Sequence, residues 1–159
     1  MDKMSHMAIG NKKETKTFWD VVSLLGGRDV MGTGIKTEFD LIALGNEGLR
    51  RVSLDALIAF LQVPRKLFVE TILDMSIKTV ERKKSNDRLD RRTSSLIIEI
   101  AKVVEHAMEV FEDEDKVRDW LATSNRALNG MRPFDLFHTP TGLMLVNTVL
   151  GRIEEGVYS

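Results

Sequence analysis

Histidine is the side chain best suited to proton transfer or metal binding near neutral pH, and this chain has three. They are His6, His106 and His138. His106 shares a helical stripe with Glu99 and Glu109, but no second histidine follows at a spacing that would complete a metal site. Cysteine is absent, which excludes thiolate catalysis and disulfides. We therefore predict no catalytic residue and no metal site, and interpret His106 as part of a solvated helix face.

Four glycines close together near the N-terminus could suggest a phosphate-binding loop. They are Gly26, Gly27, Gly32 and Gly34. Such a loop needs a preceding strand and a G-x-x-x-x-G-K-S/T or G-x-G-x-x-G pattern, and this stretch has neither. We predict a plain loop here and no cofactor for the chain.

The charges of the chain are segregated, although they nearly cancel to a net charge of -1. Between Lys78 and Arg92 there are seven basic residues and three acidic ones. Between Lys102 and Asp119 the proportions are reversed. A chain with this distribution can meet a polyanion with one part of its surface while its net charge stays near zero.

The basic stretch follows the layout of a helix-turn-helix. A helix containing Phe68 and Ile72 is followed by a short turn, and Ser76 then caps a second helix that we predict to run to about Ser85. A polar second helix of this kind fits the major groove of DNA. A solvated basic helix face is the alternative, and the short turn, the cap and the basic cluster together favour DNA contact. The predicted DNA contacts are Ser76, Lys78, Thr79, Arg82, Lys83, Lys84 and Arg88.

Upstream, the periodicity predicts three further helical segments. The first, within 17–30, contains Phe18 and Trp19 and ends at the first glycine pair. The second, 37–49, is predicted to turn Phe39, Ile42 and Ala43 inward. The third is predicted to begin after a capping Ser53 and to bury Leu54, Leu57, Ile58 and Leu61.

The longest predicted helix begins after Asp90, its N-cap, and runs to Phe111. Its apolar surface is wider than one neighbouring helix would bury. We therefore expect either a dimer contact or a deeply central position. The core stripe is Ile97, Ile100, Ala101, Val104, Ala107, Met108 and Phe111, flanked by Ile98, Val103 and Val110.

The C-terminal stretch predicts a short capped piece and a final helix. Ser124 is predicted to cap the short piece, and Thr139 caps the final helix just before Pro140. Gly142 and Gly151 each disfavour a helix by about 1 kcal/mol relative to alanine, so we expect another backbone to approach closely at both, either from the long helix of this chain or from a second protein. The predicted core stripe of this helix is Leu143, Val146, Val149, Leu150 and Ile153.

These elements predict an all-α protein. We divide it into an N-terminal extension at 1–35, partly disordered, a helix-turn-helix domain at 36–88 and a C-terminal helical domain at 89–159. No apolar run approaches the roughly 20 residues of a membrane span, and the N-terminus lacks the apolar core of a secretory signal. We therefore predict a cytoplasmic protein with no membrane contact.

From Val117 to Ser159 the sequence resembles the toxin-binding domain of the Xre/MbcA/ParS antitoxins. The likeness extends upstream to about residue 48 and includes the helix-turn-helix. At the start of the long helix, Thr93 stands where the family usually has glutamate, so the usual capping box would be incomplete. The matching motif positions are Trp120, Leu121, Asn125, Ala127, Leu128, Gly130, Pro133, Leu136, Thr139, Gly142, Val146, Leu150, Gly151, Arg152, Ile153, Gly156 and Val157.

The resemblance implies a non-enzymatic inhibitor of a RES-domain toxin, a class that looks like NAD-degrading relatives of ADP-ribosyltransferases. The antitoxin would cover the active-site entrance of the toxin, and as a homodimer it would bind operator DNA to repress its own operon. The alternative is a helix-turn-helix regulator whose C-terminal domain only dimerises or senses a ligand. The toxin contacts that the resemblance implies are Arg152, Glu155, Gly156, Val157, Tyr158 and Ser159.

Overall fold

The computed structural model describes residues 20–156, and these residues fold into helices with no β-strand among them. The all-α prediction is therefore confirmed. None of the helices in this range is long and apolar enough to cross a membrane. The α-helices are α1 Val21–Leu24, α2 Arg28–Met31, α3 Glu38–Glu47, α4 Arg51–Leu61, α5 Arg65–Leu67, α6 Ile77–Glu81, α7 Arg91–Phe111, α8 Glu114–Leu121 and α9 Pro140–Glu154. A π-helical turn, Phe68–Ile72, extends α5, and two 3₁₀ helices, Arg126–Leu128 and Pro133–Leu136, precede α9.

Helix α7 lies at the centre of the molecule. It packs against α1, α3, α8 and α9, and Ile97, Ile100 and Val104 are completely buried. The expected central position is thus confirmed, while the dimer contact stays a prediction. Helix α7 contacts helices that precede residue 88 in the chain and helices that follow it. The predicted helix-turn-helix domain and C-terminal domain therefore share one hydrophobic core.

The start of α7 is fixed by an N-cap that differs from the usual capping box. Asp90 Oδ1 accepts a hydrogen bond of 2.8 Å from the Thr93 backbone N–H, and the Thr93 hydroxyl donates to Asp90 Oδ2 at 2.7 Å. Burial alone would raise the pKa of Asp90, but these hydrogen bonds outweigh it and lower the pKa. The threonine therefore replaces the missing glutamate with a hydrogen bond of its own.

The first predicted helix ends at the glycine pair as expected, but a second short helix that was not predicted follows it. Asp20 caps α1, which ends before Gly26 and Gly27, and α2 follows directly. The two glycines have φ angles of 111° and 82°, values that L side chains rarely adopt, so they separate the two helices. Phe18 and Trp19 lie outside the described residues.

The predicted inward face of α3 is also wrong. Phe39 is 81% exposed and Ile42 is 60% exposed, and Ala43 is exposed as well. The helix turns Leu44 and Gly45 toward α7 instead. A Cβ atom at Gly45 would lie 3.1 Å from the Ser95 hydroxyl oxygen, so the close packing of α3 on α7 depends on this glycine.

Helix α4 begins earlier than Ser53 would predict. The Arg51 backbone N–H donates to Asp87 O at 2.8 Å and that of Val52 donates to Ser85 O at 2.9 Å, so a distant loop satisfies the first turn. Ser53 therefore does not cap the helix, and its buried hydroxyl donates to the Met31 sulfur at 3.7 Å. The predicted stripe Leu54, Leu57, Ile58 and Leu61 is buried, as expected.

The C-terminal predictions are partly confirmed. Asn125, rather than Ser124, caps the first 3₁₀ helix by accepting from the Ala127 N–H at 2.9 Å. Thr139 caps α9 as predicted, by accepting from the Gly142 N–H at 3.0 Å. In the predicted core stripe of α9 all residues are buried except Ile153, which is half-buried.

The two glycines of α9, Gly142 and Gly151, differ in how closely other atoms approach them. A Cβ atom at Gly142 would lie 2.0 Å from the carbonyl oxygen of Leu136, so another backbone does approach closely there. A Cβ atom at Gly151 would meet nothing within 4 Å among the described residues, so this part of the chain makes no close approach there, and an approach by a second protein stays a prediction.

Candidate functional site

Two short helices and a turn form the predicted DNA-binding layout. Helix α5 and its π-helical turn end at Ile72, residues 73–76 form the turn, and α6 follows. Asp74 has a φ of 52°, a left-handed conformation that reverses the chain direction in few residues. The inner side of this unit is formed by three side chains that are completely or almost completely buried, Phe68, Ile72 and Val80. Their packing fixes the orientation of α6 on the protein.

Helix α6 ends at Glu81 and is shorter than the predicted stretch to Ser85. The reason is tertiary, because the carbonyl oxygens of Ser85 and Asp87 are the acceptors for the first turn of α4. Residues 82–88 therefore form a loop that returns to the body of the protein.

Five of the seven predicted DNA contacts are exposed on α6 and at its ends. The side chains of Lys78, Arg82 and Lys84 form no ion pair with another described residue. The Ser76 hydroxyl makes no capping hydrogen bond, and Thr79 is exposed beside it. These groups can meet phosphates or base edges without first breaking a contact within the described chain.

The other two predicted contacts, Lys83 and Arg88, are engaged within the protein. Lys83 Nζ donates to Arg88 O at 2.9 Å, and Arg88 Nη1 donates to Gly48 O at 2.6 Å. The Arg51 guanidinium in turn donates to Lys83 O. These three bonds hold the loop after α6 against the start of α4. Sequence patterns could not reveal them, since the Arg88 partner lies 40 residues away in the chain.

The C-terminal region is built around a cluster of aromatic rings. The ring of Phe134 lies 6.2 Å from that of Phe68 and 5.9 Å from that of Phe137, measured between centroids. This cluster connects the second 3₁₀ helix to the π-helical turn. It also holds the Leu136 backbone against Gly142, and this close contact fixes the position of the start of α9.

The outward face of α9 carries two apolar side chains that sequence reasoning missed. Met144 is 60% exposed and Leu145 is 44% exposed. Leu145, Thr148, Arg152 and Glu155 recur at helical spacing, and all four are exposed. The signal was present in the sequence, because the four successive apolar residues at 143–146 cannot all face one core.

The predicted toxin contacts lie at the end of this helix. Arg152 and Glu155 are exposed, and Gly156, also exposed, has a φ of 71°. This left-handed glycine ends the helix. Val157, Tyr158 and Ser159 lie outside the described residues.

His106 joins the central helix to α9. Its Nδ1 lies 2.6 Å from Asn147 Oδ1, and its Nε2 lies 3.0 Å from Glu154 Oε2. Within residues 20–156 no three histidine or acidic side chains cluster in a way that could hold a metal ion. The geometry gives His106 the role of a structural bridge between two helices.

The C-terminal part of the chain is similar to a described family of protein domains. Residues 106–156 match the antitoxin Xre/MbcA/ParS C-terminal toxin-binding domain. An "Antitoxin Xre" of Photorhabdus laumondii is 33% identical over 67 residues, which cover 42% of this chain and 45% of that protein. An "Antitoxin Xre" of Yersinia enterocolitica is 24% identical over 148 residues, which cover 92% of this chain and 93% of that protein.

Proposed function

We propose that the chain is an Xre-type antitoxin and that it neutralises a cognate RES-domain toxin through the outward face of α9. The match of residues 106–156 to the toxin-binding domain and the similarity to two Xre antitoxins support this proposal. The observation that carries this proposal is the exposed apolar side chain of Leu145 within the matched domain, on a helix face that continues through Thr148 and Arg152. Apolar side chains of this size on a polar helix face are typical of protein interfaces.

The proposed contact extends from Leu145 to Ser159. Leu145 supplies apolar area, Arg152 and Glu155 supply charges at the edge, and Gly156, with its left-handed φ, ends the helix. We place Val157, Tyr158 and Ser159 at the entrance of the toxin's active site. The antitoxin performs no reaction in this account and acts by excluding the toxin's substrate in the cytoplasm.

Co-expression with the toxin encoded by the neighbouring gene tests the neutralisation directly. We expect the toxin alone to deplete cellular NAD and stop growth, and co-expression of this chain to restore both. The two proteins should then purify as one complex. A chain that leaves the toxin fully active and purifies without it contradicts the proposal and favours a regulator whose C-terminal domain only dimerises or senses a ligand.

We further propose that α6 binds operator DNA and that the chain represses its own operon as a homodimer. Lys78, Arg82 and Lys84 are assigned to phosphate contacts because no described partner holds them, and Ser76 and Thr79 to base edges or nearby phosphates. Lys83 and Arg88 are assigned to holding the loop instead. A dimer would place two copies of α6 on a two-fold operator.

A triple variant, Lys78→Ala with Arg82→Ala and Lys84→Ala, tests the DNA contact. Each phosphate contact adds about 0.9 to the slope of log affinity against log salt concentration, so losing three should flatten the slope by about 3. Fluorescence anisotropy with operator DNA at several salt concentrations measures this. As a control, Lys36→Ala with Lys116→Ala and Arg126→Ala removes three exposed charges elsewhere. Equal slopes for the two triple variants would show that α6 does not contact the DNA phosphates.

A further inference from the structure

A groove of about 1000 Å³ runs along the solvent side of α7. The turn after the π-helical segment forms one wall and the first half of α9 forms the other. Its lining includes the apolar side chains of Leu73, Leu96, Val103, Leu143 and Met144. An open groove with this much apolar lining is a surface that a peptide segment can cover.

The charges around this groove are mainly negative. Four acidic and two basic residues line it, and the acids include Glu99, Glu105 and Glu109 on α7. The basic Lys102 already contacts Glu38 at 3.0 Å and Glu99 at 3.5 Å. Glu105 and Glu109 form no ion pair with another described residue. A segment that covers the groove should therefore carry positive charge.

The N-terminal segment joins the described structure close to this groove. Asp20 caps α1, and α1 packs on α7. Burial raises the pKa of Glu105 to about 7, and the nearby charges of Glu109 and Asp20 add to the effect. Asp20 therefore lies within electrostatic range of a groove carboxylate, and the preceding residues start from there.

The composition of residues 1–19 complements the groove. The segment has four lysines and two acids, and Phe18 and Trp19 come directly before Asp20. It also contains three methionines, whose flexible side chains adapt to irregular apolar surfaces. A second copy of the described part is a poorer occupant, because its own acidic groove would face this one.

The length of the groove also agrees with the length of the N-terminal segment. Along α7, the groove extends from Arg92 to Glu109, about 25 Å at 1.5 Å per residue. Residues 12–19 in extended form span about 27 Å. We propose that residues 1–19 lie in this groove of the same chain, with Phe18 and Trp19 on its apolar lining and Lys12, Lys13 and Lys16 beside Glu99, Glu105 and Glu109.

Tryptophan fluorescence tests the burial of Trp19. The chain has two tryptophans, so Trp120→Phe leaves Trp19 as the single reporter. We expect blue-shifted emission and weak acrylamide quenching, and a several-fold increase in the quenching constant when Glu105→Lys and Glu109→Lys are added. Glu70→Lys with Asp119→Lys changes two exposed acids outside the groove lining and should leave quenching unchanged. Solvent-like quenching of Trp19 without the groove changes would overturn the proposal.

Carbodiimide cross-linking of the unsubstituted chain provides a second test that does not depend on any variant folding. A 1:1 mixture of ¹⁵N-labelled and unlabelled chains is cross-linked and analysed by mass spectrometry. We expect amide links from Lys12, Lys13 or Lys16 to the groove glutamates with both peptides of the same isotope. Links that mix the isotopes would assign the groove to a second copy, and the absence of any link between these lysines and the groove glutamates would leave the segment outside the groove. Either result rejects the proposal. Neither measurement depends on toxin or DNA binding.

Discussion

Gly142→Ala is expected to destabilise the protein by about 3 kcal/mol, since the new methyl group would overlap a main-chain oxygen. The Cβ would lie 2.0 Å from Leu136 O and 2.8 Å from Leu136 C. The Phe134 ring packs against both Phe68 and Phe137, so the segment that carries Leu136 cannot move without disturbing these contacts. Thermal unfolding should show a midpoint lowered by roughly 10 °C.

The matched control for this change is Gly151→Ala in the same helix. A Cβ at Gly151 meets nothing within 4 Å among the described residues, and alanine favours a helix over glycine by about 1 kcal/mol. We expect this variant to be as stable as the unsubstituted chain or more stable. If both variants unfolded at the same temperature, the close approach of the Leu136 backbone to α9 would be wrong.

Leu145→Glu is expected to weaken toxin binding by at least tenfold. Burying a carboxylate against an apolar patch is unfavourable, and a central apolar contact in an interface contributes about 2 kcal/mol or more. The substitution should leave the fold intact, because Leu145 is 44% exposed and makes no core contact that the fold requires. Isothermal titration with the purified toxin measures the affinity, and circular dichroism checks the helix content.

Leu67→Glu is the matched control for this second change. Leu67 has the same side chain and a similar exposure, 42%, but it lies in α5, outside the matched domain. The affinity of the Leu67→Glu variant for the toxin should equal that of the unsubstituted chain. If Leu145→Glu bound the toxin as tightly as Leu67→Glu did, the outward face of α9 would not be the interface.

The features that sequence patterns predicted well are local. Asp90 and Thr139 are recognised as caps by their own short side chains and by the apolar periodicity that follows them. The buried stripes of α7 and α9 follow from spacing alone, since each helix presents one wide apolar face. These elements also carry the resemblance to the antitoxin family.

The features that sequence patterns missed depend on contacts between distant residues. In α3, apolar residues lie on two faces, and the approach of Gly45 to Ser95 decides which face is buried. Lys83 and Arg88 have the composition of DNA contacts, yet their hydrogen bonds hold a loop. Asn125 caps where Ser124 could have done so, and only the backbone conformation separates the two.

Hydrogen–deuterium exchange of this chain, alone and in complex with its cognate toxin, tests the central claim most directly. Amide exchange slows where an interface covers or rigidifies the backbone. We expect slower exchange in α9, residues 140–154, and in the residues that follow it, with exchange in α6 unchanged. Unchanged exchange throughout α9 in a saturated complex, with protection elsewhere, would contradict the claim that this face holds the toxin.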